Sequence, residues 1–227
     1  MIRTRRLFLF ALVLCMALAA CACQRRANVR SDAPRANAPA ATLDTRLSVA
    51  VAPFSGARDQ RELLAGTLPP DGVIPGPDTL SSLDAALQTA LHARPGRTVR
   101  AANIVSSCVR FVHRGLVPSR EEHLRYWQQV GQCADSDLLL VPVVMHWRDR
   151  SGAPGGTSQP AWVILDLYLV DVKTGALLNH SHYDYQQRAL TDNLLDVGSF
   201  VRRRGQWVSA GDLAREGIER GIRELGL

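Results

Sequence analysis

The chain has 227 residues, of which 46% are hydrophobic and 21% are charged. This ordinary mixture predicts a globular protein and excludes a disordered, collagen-like or polytopic membrane protein. The formal net charge is +6, but three of the arginines lie in an N-terminal segment that we expect to be removed, and most of the others are scattered. The sequence has no concentrated basic face with interleaved aromatic residues, so it does not favour nucleic-acid binding.

The first twenty residues have the pattern of a secretory signal peptide. Three arginines precede an uncharged apolar run from Leu7 to Ala20. This run is too short to span a bilayer, which takes about 20 residues, but it suits the core of a signal peptide. It ends in the letters LAAC at Cys21, and this ending resembles the bacterial lipobox. The resemblance implies cleavage before Cys21 and lipidation of that cysteine.

The residues after Cys21 indicate the membrane in which the predicted lipoprotein is anchored and a tether that follows the anchor. Ala22 stands directly after the lipid cysteine, where no aspartate is present. By the sorting rule known for enteric lipoproteins, the resemblance implies a lipid-anchored protein of the outer membrane that faces the periplasm. Lipidation at Cys23, an uncleaved anchor and an ordinary secreted protein are the alternatives. Residues 21–42 then form the lipidated cysteine and a flexible tether, because residues 24–42 are rich in Ala, Arg, Asn, Ser and Pro.

Residues 43–227 are predicted to form a single α/β domain. The predicted elements in chain order are a strand over 46–53, a helix over 80–94, a strand over 98–105, a helix over 121–132, a strand over 138–147, a hairpin of strands over 161–172 and 176–187, and a helix over 209–225. This order indicates a mixed β-sheet of about five strands packed with about three helices.

Three local features refine these elements. Asp78 or Thr79 is expected to cap the first helix, and Ser209 with Asp212 resembles a capping box before the last. Pro142 lies inside an otherwise apolar strand, and because proline lacks an N–H group it indicates an edge strand or a bulge.

The hairpin gives the clearest local pattern. Two strand patterns flank Lys173-Thr174-Gly175, which is typical of a three-residue loop with glycine in the left-handed conformation. If Val172 pairs with Ala176, then Tyr168 lies opposite His180 and Asp166 lies opposite His182.

Four segments together resemble a known family: LSVAVAPF, SDLLLVPVVMHW, LDLYLVDVKTGALL and VSAGDLAREGIERGIREL. They resemble the superfamily of the curli-secretion lipoprotein CsgG and the penicillin-binding-protein activator LpoB, which shares a domain similar to the amino-terminal domain of TolB. The resemblance covers most of residues 46–225. It implies the fold and an envelope location, and none of its motifs is catalytic.

The segment over 57–77 is predicted to be a long loop, because it is rich in Pro and Gly. Loops of this length are often functional, so we consider it a candidate partner-binding loop. Its apolar anchors are Leu63, Leu64, Leu68, Val73 and Ile74. The alternative is that the loop packs on its own domain.

The hairpin also contains a candidate metal site. Strand alternation places His180, His182 and Asp184 on one face, and the predicted register adds Asp166. Two imidazoles and two carboxylates could hold zinc or iron. The alternative that the sequence favours is a solvated polar face with an Asp166–His182 pair. We therefore predict no resident metal, no other cofactor and no enzymatic activity.

Two further sets of residues carry predictions. Cys108 and Cys133 are the only cysteines of the predicted domain, and in an oxidising compartment we expect them to form a disulfide. Arg202, Arg203 and Arg204 could dock an acidic partner, a lipid head group or cell-wall carboxylates. The alternative for these arginines is a solvated turn before the last helix.

These observations favour a lipid-anchored periplasmic accessory protein that binds a protein partner in the cell envelope, in assembly, cell-wall synthesis or secretion. A subunit of a ring-shaped outer-membrane export channel is the alternative, and a metal-dependent enzyme is a third hypothesis. The sequence leaves the partner and the oligomeric state open.

Overall fold

A computed structural model describes residues 43–94, 96–112, 119–152, 159–186 and 208–227. The chain divides into two units, Met1–Pro39 and Ala40–Leu227, and every described residue belongs to the second. The predicted signal peptide, the predicted lipidation site Cys21, the predicted tether and Arg202–Arg204 lie outside the described residues. No helix within the described ranges is long and apolar enough to cross a membrane.

The described residues form five strands, four α-helices and one short 3-10 helix. In chain order they are β1 (Val49–Val51), β2 (Ser55–Gly56), the 3-10 helix (Gln60–Glu62), α1 (Pro77–His92), α2 (Ala102–Phe111), α3 (Arg120–Cys133), β3 (Leu138–Arg148), β4 (Trp162–Asp171), β5 (Leu177–Gln186) and α4 (Ala210–Glu224).

The five strands form one mixed sheet. Its order is β1-β3-β4-β5, and β2 also pairs with β3. The pairs β1–β3 and β2–β3 are parallel, whereas β3–β4 and β4–β5 are antiparallel. The predicted mixed sheet within an α/β domain is thus confirmed.

Both faces of the sheet are buried, as the side-chain alternation of β4 shows. Leu165 and Leu167 belong to a core with residues of α1 and α4, whereas Ile164 and Tyr168 belong to a second core with residues of α2 and α3. Successive side chains of a strand point to opposite faces, so each face of the sheet has its own helical layer. The result is a three-layer α/β sandwich.

The predicted strand over 98–105 is wrong. Only Val99 forms a β-bridge, to Val49, and the chain enters helix α2 at Ala102. Val105 and Cys108 are both buried, at the three-residue spacing of one helix face. This amphipathic face packs on the sheet, and it raises the number of α-helices to four among the described residues.

The two predicted helix starts differ in outcome. Helix α1 begins at Pro77 after an N-cap at Gly76, earlier than either predicted cap, because proline at the first helical position already has the helical φ and needs no N–H partner. Helix α4 begins as predicted: Ser209 and Asp212 form a capping box.

Pro142 lies on an internal strand, so the predicted edge position is wrong, and the irregularity of β3 falls between Val144 and His146. On one side Pro142 pairs with Leu167 of β4. On the other side the parallel partner is interrupted between β1 and β2. A proline without an N–H donor fits at this position because the sheet has a gap in its ladder there.

The predicted hairpin pairs at Tyr168 and Asp166 are confirmed, but the predicted Val172–Ala176 pair is not formed. The N–H of Asp171 donates to the carbonyl of Ala176 instead, and a bulge between Leu169 and Val170 shifts the register by one residue. Tyr168 pairs with His180, and Asp166 pairs with His182. Gly175 has a φ of 71° and its N–H group donates to the carbonyl of Asp171 at 2.8 Å. The turn and the bulge together determine which side chains meet across β4 and β5.

Candidate functional site

A buried carboxylate lies in the middle of β4. Asp166 is fully inaccessible to solvent, and its neighbours on the strand are apolar and similarly buried. Burial of an unpaired carboxylate is very costly, so the side chain must be surrounded by hydrogen-bond donors or charges.

Three side chains supply these contacts. Nδ1 of His182 lies 2.6 Å from Oδ1 of Asp166, and the hydroxyl of Tyr168 lies 2.7 Å from Oδ2. Nε2 of His180 lies 3.1 Å from the same Oδ2. The hairpin register brings the four residues together, because His182 faces Asp166 and His180 faces Tyr168 across the two strands.

The contact of His180 differs from the other two. Its Nε2 is buried and has no hydrogen-bond partner among the described residues, although Oδ2 of Asp166 is 3.1 Å away. The contact between His180 and Asp166 is therefore an electrostatic contact and not a hydrogen bond. The His180 ring instead stacks on Tyr168, with ring centroids 4.9 Å apart and planes 15° apart.

A segment of the 57–77 loop covers this cluster. The hydroxyl of Tyr168 also lies 2.9 Å from the carbonyl oxygen of Ala65. Gly66 has a φ of 77°, and a Cβ there would lie 3.6 Å from Oδ2 of Asp166. Arg120 of α3 holds this segment in place, because its Nη2 donates to the Gly66 carbonyl at 2.5 Å.

The cluster is open on the side of His182, whose side chain is 49% exposed. Nδ1 of His182 contacts Asp166, and the exposed part of the ring is accessible to water. A carboxylate that fixes one ring nitrogen of a histidine is the arrangement found both at general bases and around metal ligands.

The charges of the cluster favour an ionised Asp166. Burial raises the pKa of Asp166, but the contacts with His180, His182 and Tyr168 outweigh it, so the pKa lies below its usual value. The hydrogen bond to Asp166 in turn raises the pKa of His182. Burial raises the pKa of Tyr168, and the neighbouring carboxylate adds to this effect, so Tyr168 stays a neutral hydroxyl.

The raised pKa of His182 predicts a pH-dependent contribution to stability. The folded state binds the His182 proton more tightly than the unfolded state, so the contribution is complete below the unfolded pKa and is lost as pH rises through the folded pKa. The difference in thermal midpoint between the unmodified protein and His182→Gln, measured in EDTA, should therefore grow as pH falls from 8 to 6.

The control for this experiment is His146→Gln. His146 is buried, and burial lowers its pKa, so the folded state favours the neutral ring. The difference in thermal midpoint between the unmodified protein and His146→Gln should therefore shrink as pH falls. A His182→Gln difference that is constant from pH 8 to 6 would contradict the assigned contact.

Asp184, the fourth member of the predicted metal set, does not join the cluster. Its Oδ1 accepts a hydrogen bond from Nε1 of Trp162 at 2.8 Å. Asp184 pairs with Ile164, two residues along each strand from the Asp166–His182 pair and on the same face of the sheet. The structure thus brings together Asp166, His180 and His182, whose ligand atoms all lie within 4.8 Å of one another.

The predicted apolar anchors of the loop have different environments. Leu63 is fully buried in the core under α2 and α3, and Leu64 and Leu68 pack partly against it. Ile74 is half-buried, whereas Val73 is 56% exposed. Leu63 is therefore a core residue. Among the five predicted anchors of the loop, Val73 is the one with an exposed side chain.

The structure joins Cys108 of α2 to Cys133 of α3 by a disulfide, with their Cα atoms 5.7 Å apart. The bond links the two helices that cover the face of the sheet on which Asp166 lies. It closes a segment with a sequence separation of 25 residues.

Sequence reasoning did not assign Tyr168 and the Ala65–Gly66 segment to the site. Tyr168 carried a usable signal, because it lies two positions from Asp166 and thus on the same strand face. Ala65 and Gly66 carried no such signal in the sequence, because their approach to Asp166 depends on contacts with residues that are distant in sequence.

Searches of protein-family models and of curated proteins found no match. Solved structures that are similar to this chain include the PelC dodecamer from Paraburkholderia phytofirmans, with 14% identity over 81% of this chain and 90% of that chain and a TM-score of 0.44. A lipoprotein from Neisseria meningitidis has 16% identity over 70% of this chain and 94% of that chain, with a TM-score of 0.41.

LpoB from E. coli has 14% identity over 64% of this chain and 59% of that chain, with a TM-score of 0.40. Similarity at this level assigns neither a family nor a function to this chain.

Proposed function

We propose that this chain is a lipid-anchored accessory protein of the outer membrane that faces the periplasm and binds a protein partner in the cell envelope. Membership of the CsgG and LpoB superfamily, which four sequence segments indicate, is part of the proposal. The protein acts by binding and not by catalysis. The observation that carries the proposal is the exposure of Val73 on a backbone that the domain holds in place.

The lipid anchor rests on the lipobox-like ending at Cys21, which follows a charged start and an apolar run. The disulfide between Cys108 and Cys133 supports export, because disulfides form and persist in oxidising compartments. The residues between Cys21 and the domain have the composition of a flexible tether, so an anchored domain can reach a partner below the membrane.

We expect the mature protein to begin at a lipidated Cys21. Intact mass spectrometry of the membrane-extracted chain should show the loss of the first twenty residues and the addition of a diacyl or triacyl cysteine. The Cys21→Ser variant should lose membrane attachment, whereas the neighbouring control Cys23→Ser should keep it. An unmodified chain that begins at Met1 would show that the anchor is wrongly assigned.

Val73 has the properties of a preorganised contact. Its carbonyl oxygen accepts a hydrogen bond from the N–H of Trp147 at 2.7 Å, and its N atom lies 3.4 Å from Nδ1 of the buried His146. The backbone at Val73 is therefore held, while the side chain is 56% exposed. A held backbone reduces the entropy lost on binding, and this favours recognition by a partner with a complementary apolar surface.

The Val73→Ser variant tests this surface. Burial of a valine side chain contributes about 1.5 kcal/mol or more, so the substitution should weaken partner binding roughly tenfold without a change in thermal midpoint. Leu178→Ser is the matched control, because Leu178 is 45% exposed and lies on β5. Equal partner recovery from native membranes with Val73→Ser and with the unmodified chain would contradict the proposal.

A further inference from the structure

The cluster under the 57–77 loop has the donor set of a metal site. Two imidazoles and one carboxylate have ligand atoms within 4.8 Å of one another, on two neighbouring strands with a fixed register. We propose that Asp166, His180 and His182 bind a divalent transition-metal ion, and that zinc is the ion that fits best.

The distances are close to those that zinc requires. Zinc bonds to nitrogen and to carboxylate oxygen are about 2.0–2.2 Å long, so two ligand atoms at a tetrahedral angle lie roughly 3.3 Å apart. The separation of 3.1 Å between Nε2 of His180 and Oδ2 of Asp166 already meets this requirement. Nδ1 of His182 lies 2.6 Å from the other carboxylate oxygen, Oδ1. A zinc ion that replaces the proton between these two atoms requires their separation to widen by about 0.7 Å.

The second observation is the nitrogen of His180. Nε2 is buried and has no hydrogen-bond partner among the described residues, yet it faces the oxygens of a fully buried carboxylate. A buried ring nitrogen without a partner is costly, and a metal ion would provide that partner.

The surroundings fit the needs of a bound ion. His182 is half exposed, so its side chain has room to shift, and water can complete the coordination from that side. The hydroxyl of Tyr168 holds the carboxylate from the buried side, as groups next to metal ligands commonly do. The disulfide indicates an oxidising compartment, where zinc, which has no redox chemistry, is favoured over ferrous iron.

The test uses the full chain, purified without a histidine tag, treated with a chelator and titrated with zinc chloride by calorimetry. We expect one zinc ion per chain and a thermal midpoint that rises with zinc concentration. His180→Gln and His182→Gln should each weaken zinc binding at least tenfold. His92→Gln, which changes an exposed histidine of α1, should leave the affinity unchanged.

Absence of saturable binding in the unmodified chain would overturn the proposal, as would undiminished binding when both histidines of the cluster are replaced. If a variant does not fold, cobalt binding by the unmodified chain decides the question. A visible spectrum of a four- or five-coordinate ion, displaced by zinc, supports the site. The spectrum of hydrated cobalt alone contradicts it.

Discussion

Replacement of Asp166 by alanine is expected to lower the free energy of unfolding by about 3 kcal/mol. The substitution removes a charged acceptor that contacts two histidines and a tyrosine, and each hydrogen bond to a charged group contributes about 1.5–3 kcal/mol. The relief of burying a charge offsets part of this loss. Urea denaturation of the metal-free chain, with EDTA present, measures the difference.

Asp184→Ala is the matched control for this prediction. Asp184 is an exposed carboxylate on the neighbouring strand, and its hydrogen bond to Trp162 should contribute less than about 1 kcal/mol. Equal losses for the two alanine variants would show that the Asp166 contacts contribute no more than an ordinary surface hydrogen bond.

Loss of the disulfide is expected to have a similarly large effect. Simultaneous Cys108→Ala and Cys133→Ala substitutions should lower the free energy of unfolding by about 3–4 kcal/mol, because the unfolded chain gains the freedom that a closed loop of this length denies it. Comparison of urea midpoints gives the difference, and Cys23→Ser, outside the closed loop, should leave the midpoint unchanged.

A direct chemical measurement accompanies this prediction. Thiol titration of the denatured, non-reduced protein should find neither Cys108 nor Cys133 reactive, and reduction should release two thiols. Two free thiols at these positions before reduction would contradict the disulfide.

The hairpin was predictable because its information is local. The Lys173-Thr174-Gly175 turn joins the two strands, and beyond a bulge between Leu169 and Val170 the opposite residues are those that the sequence predicts. The approach of His182 to Asp166 could therefore be predicted from the sequence. The burial of Asp166 could not, because it depends on how distant parts of the chain pack around the strand.

The segment over 98–111 shows where local information fails. Its β-branched residues favour a strand, but Val105 and Cys108 have helical spacing, and the helix forms because that face packs on the sheet. Tertiary packing outweighs propensity in such a short segment.

The loop over Asp166 was not predictable for a different reason. Gly66 reaches the cluster because Arg120, from helix α3, and Gln60, from the same loop, both donate to its carbonyl oxygen. No periodic pattern in the sequence encodes such contacts. The same applies to Leu63, whose burial distinguishes a core residue from a surface anchor.

Site-specific photo-crosslinking at position 73 in native membranes tests the proposed function most directly. A photoreactive residue in place of Val73 should give one discrete adduct with an envelope protein, and the adduct should be lost when Cys21→Ser releases the chain from the membrane. The same residue at position 178 should give none. A chain that keeps its thermal midpoint but forms no adduct at 73, or the same adduct from both positions, would contradict partner binding through this surface.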